Sequence, residues 1–122
     1  MKVLVVDDSK AMRMIVKRSL RQAEMADLDV IEAENGKQAY DLLLGPERYE
    51  LVLCDWNMPE MSGIELLRKL NEENIRVRFG FVTSESTEEM RAQAREAGAV
   101  FLLSKPFTPE MLKEKLTLAN AA

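Results

Sequence analysis

The chain has 122 residues, 47% of them hydrophobic and 31% charged, which is the balance of a single globular domain with its own core. Its formal net charge of −4 argues against nucleic acid as the main partner, because phosphate backbones require a basic surface. The absence of histidine and the presence of one cysteine exclude a Ser-His-Asp triad, an internal disulfide and a cysteine-based zinc site. No apolar run approaches the ~20 residues of a membrane span. We expect a cytoplasmic monomer, with one domain over residues 1–122 and no output domain.

The first half of the chain alternates short apolar runs with helical periods. Residues 3–6 form an apolar, β-branched run that is typical of a buried parallel strand. A first helix is predicted next, because apolar residues recur at helical spacing and mark one inner face: Met12, Ile15, Val16, Leu20 and Ala23. Residues 28–33 predict the second strand. Asn35-Gly36 then leads into a second helix, which Gly45-Pro46 ends.

The same alternation continues through the middle of the chain. Residues 51–54 predict a third buried strand, which ends at Asp55. A loop over residues 56–63 leads into a third helical period. Residues 77–83 predict the fourth strand, although Gly80 inside it packs no side chain.

Capping signals mark the last two helices. Residues 86–89 fit a capping box at the start of the fourth helix, which Gly98 ends. Residues 100–103 predict the fifth strand, and Thr108-Pro109 opens the fifth helix. The inner face of that helix holds Leu112, Leu116 and Ala119. Five strands alternating with five helices predict an α/β fold, a doubly wound parallel sheet in a three-layer sandwich.

Side chains suited to phosphate chemistry follow four of the predicted strands. Because the carboxyl ends of parallel strands meet at one edge of the sheet, these side chains should converge. Three close carboxylates repel one another unless a hard divalent cation such as Mg²⁺ neutralises them, and an ammonium and a hydroxyl suit a phosphate oxygen. The pattern predicts an aspartate that accepts a phosphoryl group. The residues are Asp7, Asp8, Asp55, Thr83, Ser84 and Lys105.

Each of these residues also has a simpler explanation. Asp7 and Asp8 could cap the first helix, where acids complement the helix dipole. Asp55 could be a helix-proximal acid, Thr83 part of a turn, and Lys105 a solvated surface lysine. Their joint placement on one rim favours the functional interpretation.

At these positions the sequence resembles the response-regulator receiver domains of two-component signalling, over essentially the whole chain. The segment Asp55-Trp56-Asn57-Met58-Pro59 is most similar to the chemotaxis (CheY-type) single-domain regulators. The resemblance implies the strand order 2-1-3-4-5. It is carried by Val5-Val6-Asp7-Asp8-Ser9, Leu53-Cys54-Asp55-Trp56-Asn57-Met58-Pro59, Val82-Thr83-Ser84 and Lys105-Pro106-Phe107.

The resemblance implies a metal site and an acceptor. Asp55 matches the phosphorylated aspartate. Asp8 matches the direct Mg²⁺ ligand, and Asp7 matches the acid that holds the ion through water. Asn57 matches the residue whose backbone carbonyl completes the metal site.

The resemblance also implies switch and rate-tuning positions. Thr83 matches the hydroxyl that moves to bond the phosphoryl group, and Lys105 matches the phosphate-binding lysine, followed by a cis bond to Pro106. Asn57 and Glu85 match two variable rim positions that tune dephosphorylation.

One position departs from the chemotaxis pattern. Leu102 stands three residues before the lysine, where that branch usually carries Tyr or Phe. Strand alternation puts Phe101 on the opposite face. We nevertheless expect Phe101 or a neighbouring helix residue to take over the switch role, with Ser84 as a further switch position.

The resemblance implies a phosphorylation-activated switch and not an enzyme. A histidine kinase, or a small acyl phosphate, would donate the phosphoryl group, and output would be binding to a protein such as the flagellar switch. The alternatives are a receiver in a phosphorelay or kinase-feedback role, a receiver that works without phosphorylation, and a Mg²⁺-dependent phosphatase of the haloacid-dehalogenase class. That class needs a second acid two residues after the nucleophile, where this chain has Asn57.

Overall fold

The computed structural model describes residues 1–23 and 27–121, and side chains as far as residue 117. Its five parallel strands form one sheet, in the predicted order 2-1-3-4-5. Five helices alternate with the strands, which confirms the doubly wound α/β fold. The elements are β1 (Lys2–Val6), α1 (Lys10–Gln22), β2 (Asp29–Ala33), α2 (Gly36–Leu44), β3 (Leu51–Cys54), α3 (Gly63–Glu72), β4 (Arg78–Thr83), α4 (Glu88–Glu96), β5 (Phe101–Ser104) and α5 (Pro109–Ala121).

The core lies in two layers, one on each face of the sheet. Leu4 and Val6 of β1 belong to a cluster that includes buried residues of α2, α3 and α4. Val3 and Val5 belong to a second cluster that includes buried residues of α1 and α5. Alternation along one strand therefore feeds both layers, which is why β1 reads as a continuous apolar run. Among the described residues, no helix combines the length and apolar character needed to cross a bilayer.

The element boundaries differ from the predicted ones by one residue at several strand ends. β2 and β4 begin one residue later than predicted, and β5 is shifted forward by one residue to Phe101–Ser104. In the last helix, Leu112 and Leu116 are buried as predicted. Ala119, the third residue assigned to that inner face, lies outside the residues whose side chains are described.

The capping box predicted at residues 86–89 is wrong. Thr87 caps α4, and its Oγ1 accepts a hydrogen bond from the Met90 N–H at 3.1 Å. This start places Met90 against the core cluster of α2, α3 and α4. The capping box of the described chain begins α3 instead, where Ser62 and Glu65 each accept a bond from the other's backbone N–H, at 3.3 and 3.2 Å.

Gly80 makes room for a ring from the neighbouring strand. Gly80 of β4 and Phe101 of β5 are register partners. A Cβ built on Gly80 would lie 2.4 Å from Cζ of Phe101, so the ring fills the space that the glycine leaves. Phe101 packs in the α1–α5 layer, whereas Leu102 packs against the opposite layer. The predicted alternation of these two residues is confirmed.

We expect Gly80→Ala to lower the free energy of unfolding by about 1–3 kcal/mol, because the added methyl group overlaps the Phe101 ring. The sign of this change is informative, because replacing glycine by alanine in a strand that has room for the methyl group ordinarily raises stability. Urea unfolding followed by circular dichroism measures the change. The same substitution should cost clearly less in a Phe101→Leu background, and an equal cost in both backgrounds would contradict the contact.

Candidate functional site

The carboxyl ends of the strands bring the predicted polar residues to one edge of the sheet. Asp7 and Asp8 follow β1, Asp55 follows β3, Thr83 ends β4, and Lys105 follows β5. One carboxylate oxygen from each of the three aspartates lies within 4.8 Å of the others. The structure therefore assembles the acidic cluster that the sequence predicts.

Asp7 is buried and its carboxylate is held from two sides. Oδ1 accepts a hydrogen bond from the Ser9 N–H at 2.9 Å, and Oδ2 accepts one from Lys105 Nζ at 3.0 Å. Ser9 is the residue that caps α1, because its Oγ accepts a bond from the Met12 N–H at 3.3 Å. Capping of α1 by Asp7 or Asp8 is thus not the role that the structure gives them.

The Lys105 side chain lies between two carboxylates of the acidic cluster. Its Nζ lies 3.0 Å from Asp7 Oδ2 and 3.7 Å from Asp55 Oδ1, and its side chain is only 13% exposed. Its backbone N–H donates to the Thr83 carbonyl at 2.7 Å, and its bond to Pro106 is cis, as the resemblance implied. Lys105 is therefore a fixed part of the site and not a solvated surface lysine.

The carboxylate of Asp55 carries an unfavourable charge in this arrangement. Burial raises the pKa of Asp55, Lys105 opposes that rise, and the neighbouring Asp7 and Asp8 add to it. The Trp56 N–H donates to Oδ1 at 2.8 Å and fixes the rotation of the carboxylate. A bound cation would relieve both the desolvation and the repulsion. The three hard oxygen donors fit a divalent metal ion, which is the kind of ion that such ligands prefer.

The hydroxyl and the rim residues surround this cluster. Thr83 is fully buried, and its Oγ1 accepts a bond from the Glu85 N–H at 3.3 Å. Asn57, Ser84 and Glu85 are exposed, which places them where solvent reaches the site. Ser84 lies with Lys105 in an apolar groove of about 410 Å³ beside the acids. A groove of about 620 Å³ lies around Asn71, Val77 and Gly98, away from this chemistry.

Gly63 allows the loop after Asp55 to close. Its N–H donates to the Trp56 carbonyl at 2.7 Å, and a Cβ on it would lie 2.3 Å from the carbonyl oxygen of Asp55. The Trp56 ring is buried, with its centroid 4.7 Å from that of Phe81. The loop is thereby packed against β4, next to the acceptor.

Sequence reasoning missed Arg13. The apolar period of α1 predicted Ile15 on the inner face, but Ile15 is 47% exposed, whereas Arg13 and Ser19 are buried. Arg13 Nη1 donates to the backbone carbonyl of Asp7 at 2.7 Å. The available signal was its spacing, since Arg13 lies three residues before the buried Val16.

The raised pKa of Asp55 sets the sign of a pH dependence in the metal-free protein. The folded state holds this proton to a higher pH than the unfolded chain, so the contribution of Asp55 to stability falls as pH rises from the ordinary pKa of 3.8 through the raised one. With EDTA present, we expect Asp55→Asn to be more stable than the parent by on the order of 1 kcal/mol at pH 7.

Urea unfolding between pH 4 and pH 8 measures this difference, which should shrink toward the acidic end. Asp41→Asn, at an exposed position of α2, is the matched control and should change stability little at any pH. An Asp55→Asn protein that is less stable than the parent at pH 7 would contradict the electrostatic account.

Comparisons with known proteins agree with this geometry. The family model "Response regulator receiver domain" matches residues 3–117. A chemotaxis protein CheY homologue of Campylobacter jejuni is 44% identical over 118 residues, which are 95% of this chain and 89% of that protein. Chemotaxis protein CheY1 of Helicobacter pylori is 40% identical, covering 95% of this chain and 94% of its own.

A solved structure of chemotaxis protein CheY4 from Vibrio cholerae matches the fold with a TM-score of 0.82 and 30% identity, covering 95% of each chain. The shared fold, the family match and the acidic cluster at the strand ends lead to one assignment. The chain belongs to the response regulator receiver domain family and is a phosphoacceptor switch rather than an enzyme.

Proposed function

We propose that Asp55 accepts a phosphoryl group in a Mg²⁺-dependent reaction and that this modification changes the affinity of the chain for a protein partner. The observation that carries the proposal is the position of Lys105 Nζ, 3.0 Å from Asp7 and 3.7 Å from Asp55, within a cluster of three carboxylates. An ammonium so placed can meet a phosphoryl oxygen as it arrives at Asp55.

In the proposed metal site, the more exposed acids bind the ion directly and the buried acid binds it through water. Asp8, Asp55 and the backbone carbonyl of Asn57 would hold Mg²⁺, and the buried Asp7 would hold it through water. Asp8 is exposed and can approach an ion with little rearrangement. When bound, the ion would neutralise negative charge on the phosphoryl oxygens.

The proposed chemistry is a transfer between two anionic groups. An oxygen of Asp55 attacks phosphorus while the bond from phosphorus to the donor's leaving group breaks, which leaves an acyl phosphate on Asp55. These 122 residues contain no histidine, so a phosphohistidine donor lies outside them, and we propose that it is that of a histidine kinase. A small acyl phosphate is the alternative donor.

The proposed switch begins at Thr83. In the described state the Glu85 N–H donates to its Oγ1, which links the hydroxyl to the β4–α4 loop. A hydroxyl that turns toward a phosphoryl group on Asp55 would break this bond and release the loop. Ser84 and Glu85 would move with it, and Asn57 and Glu85 would control the access of water to the acyl phosphate.

The departure at Leu102 bears on how this movement is transmitted. The expected takeover by Phe101 finds no support in the packing, because that ring fills the space over Gly80 in the α1–α5 layer. Leu102 is partly buried in the opposite layer, the same layer that Met90 of α4 packs against. We propose that Leu102 and Met90 transmit the change by shifting their packing.

The names of the relatives suggest the pathway. All three of the relatives reported above are described as chemotaxis proteins, and each covers 95% of this chain. We propose that this chain acts in the cytoplasm between a histidine kinase and an output protein of chemotaxis type, such as a flagellar switch. A phosphorelay or kinase-feedback receiver would use the same site and differ only in the partner.

Incubation with acetyl phosphate and Mg²⁺ should add one phosphoryl group, a mass gain of ~80 Da. Intact-mass spectrometry measures the gain, which should be absent in Asp55→Asn and in the presence of EDTA. If acetyl phosphate is not a donor, a histidine kinase is used in its place. No gain from either donor would contradict the proposed acceptor.

We expect Thr83→Ala to accept the phosphoryl group but to lose most of the conformational response, because the methyl group cannot bond a phosphoryl oxygen. Hydrogen exchange over residues 84–104, with and without acetyl phosphate and Mg²⁺, measures the response. Thr83→Ser is the matched control, since it keeps the hydroxyl and should keep the response. A full response in Thr83→Ala would show that the loop moves by another route.

A further inference from the structure

Arg13 is a buried cation that contacts the backbone of the acid pair. It is 7% exposed and makes two hydrogen bonds in different directions. Nη1 donates to the Asp7 carbonyl at 2.7 Å, and Nε donates to Glu32 Oε1 of β2 at 2.9 Å. The side chain therefore joins helix α1, the end of β1 and the edge strand β2 next to the site.

The bond to Asp7 fixes the direction in which Asp8 leaves the sheet. The Asp7 carbonyl belongs to the planar peptide group that joins Asp7 to Asp8, so holding the oxygen holds the whole plane. The Asp7 N–H is also held, by the Ala33 carbonyl at 3.2 Å. Because the Asp8 side chain is exposed, its position depends on this backbone and not on packing.

Glu32 anchors the guanidinium. It accepts the Arg13 bond on one oxygen and lies 3.1 Å from Lys17 Nζ on the other. The hydrogen bond from Arg13, followed by that from Lys17, lowers the pKa of Glu32 and keeps it ionised. Only arginine offers two N–H groups at fixed angles for two separate acceptors, whereas lysine offers a single nitrogen.

Charge and position predict opposite effects for Arg13. A guanidinium close to a cation-binding cluster repels the bound cation, so its removal should tighten Mg²⁺ binding if charge alone matters. A residue that holds the acid pair in place should weaken Mg²⁺ binding when it is removed, because the carboxylates repel one another and the Asp7–Asp8 peptide is then free to turn.

We propose that Arg13, anchored by Glu32, is a positioning residue that holds the Asp7–Asp8 peptide in the orientation in which both carboxylates serve a divalent cation. The inference rests on the metal site of the proposed function. It assigns to a helix residue, which contacts neither the acceptor nor the donor, a role in the affinity of the site for its ion.

The test is a titration with Mg²⁺ in the absence of any phosphodonor, in which the fluorescence emission of Trp56 reports binding. Trp56 is the single tryptophan, and its backbone N–H donates a hydrogen bond to Asp55. Arg13→Gln and Lys17→Gln form a matched pair. Each removes one positive charge and one bond to Glu32, but only Arg13 reaches Asp7. We expect the Kd for Mg²⁺ to rise about 10–100-fold in Arg13→Gln and to stay equal or fall in Lys17→Gln.

Arg13→Lys keeps the charge and should not restore the affinity. If Arg13→Gln fails to fold, as judged by circular dichroism in EDTA, Arg13→Lys takes its place: a single ammonium cannot make both bonds, so the Kd should rise although the charge is kept. Tighter or unchanged Mg²⁺ binding in folded Arg13→Gln or Arg13→Lys, or an equal loss in Lys17→Gln, would overturn the inference.

The maximum extent of phosphorylation separates positioning from general damage. At saturating Mg²⁺, Arg13→Gln should approach the parent's yield of modified protein, since only the affinity for the ion has changed. A yield that stays low at every Mg²⁺ concentration would overturn the positioning role. Failure of the parent protein to accept a phosphoryl group would overturn the proposed function, while the Mg²⁺ comparison still stands by itself.

Discussion

Mutual repulsion among three carboxylates is the main physical constraint on the site at the carboxyl ends of the strands. Asp7, Asp8 and Asp55 each present an oxygen within 4.8 Å of the others, and burial adds to the cost of ionising Asp55. In the described state Lys105 compensates part of this charge by direct contact with Asp7. The fold supplies the remaining restraint through backbone hydrogen bonds, such as the one from the Gly63 N–H that closes the loop after Asp55.

The strand order explains why these side chains meet. β1 and β3 are adjacent and in register, with Val6 opposite Cys54, so the residues that follow them, Asp7 and Asp55, lie side by side. β5 is separated from β3 by β4, so a residue after β5 must reach back across Thr83. A lysine side chain is long enough to do so. The hydrogen bond from the Lys105 backbone N–H to the Thr83 carbonyl fixes the position from which that side chain extends.

Periodicity and strand-end chemistry were enough to predict the fold class and the membership of the acidic cluster, because both depend on local patterns and one rule of parallel sheets. The strand order 2-1-3-4-5 was predicted from the family resemblance and not from these patterns. The role of Arg13 was not predictable, because a charged residue on an inner helix face has meaning only once its partners, the Asp7 carbonyl and Glu32, are in place. The cap of α4 was misplaced by one residue because Ser86 and Thr87 are both good caps, and the packing of Met90 decides between them.

Two neighbouring residues of β5, Phe101 and Leu102, pack on opposite faces of the sheet and have different structural roles. Phe101 sits over Gly80, and any inward or outward movement of its ring would leave a cavity or a clash in the α1–α5 layer. Leu102 is partly buried on the other face, where α4 follows the loop that carries Glu85. In the proposed switch through Thr83, Leu102 is therefore the residue of β5 that can change its packing. The Phe101 ring over Gly80, on the opposite face, stays in place while it does so.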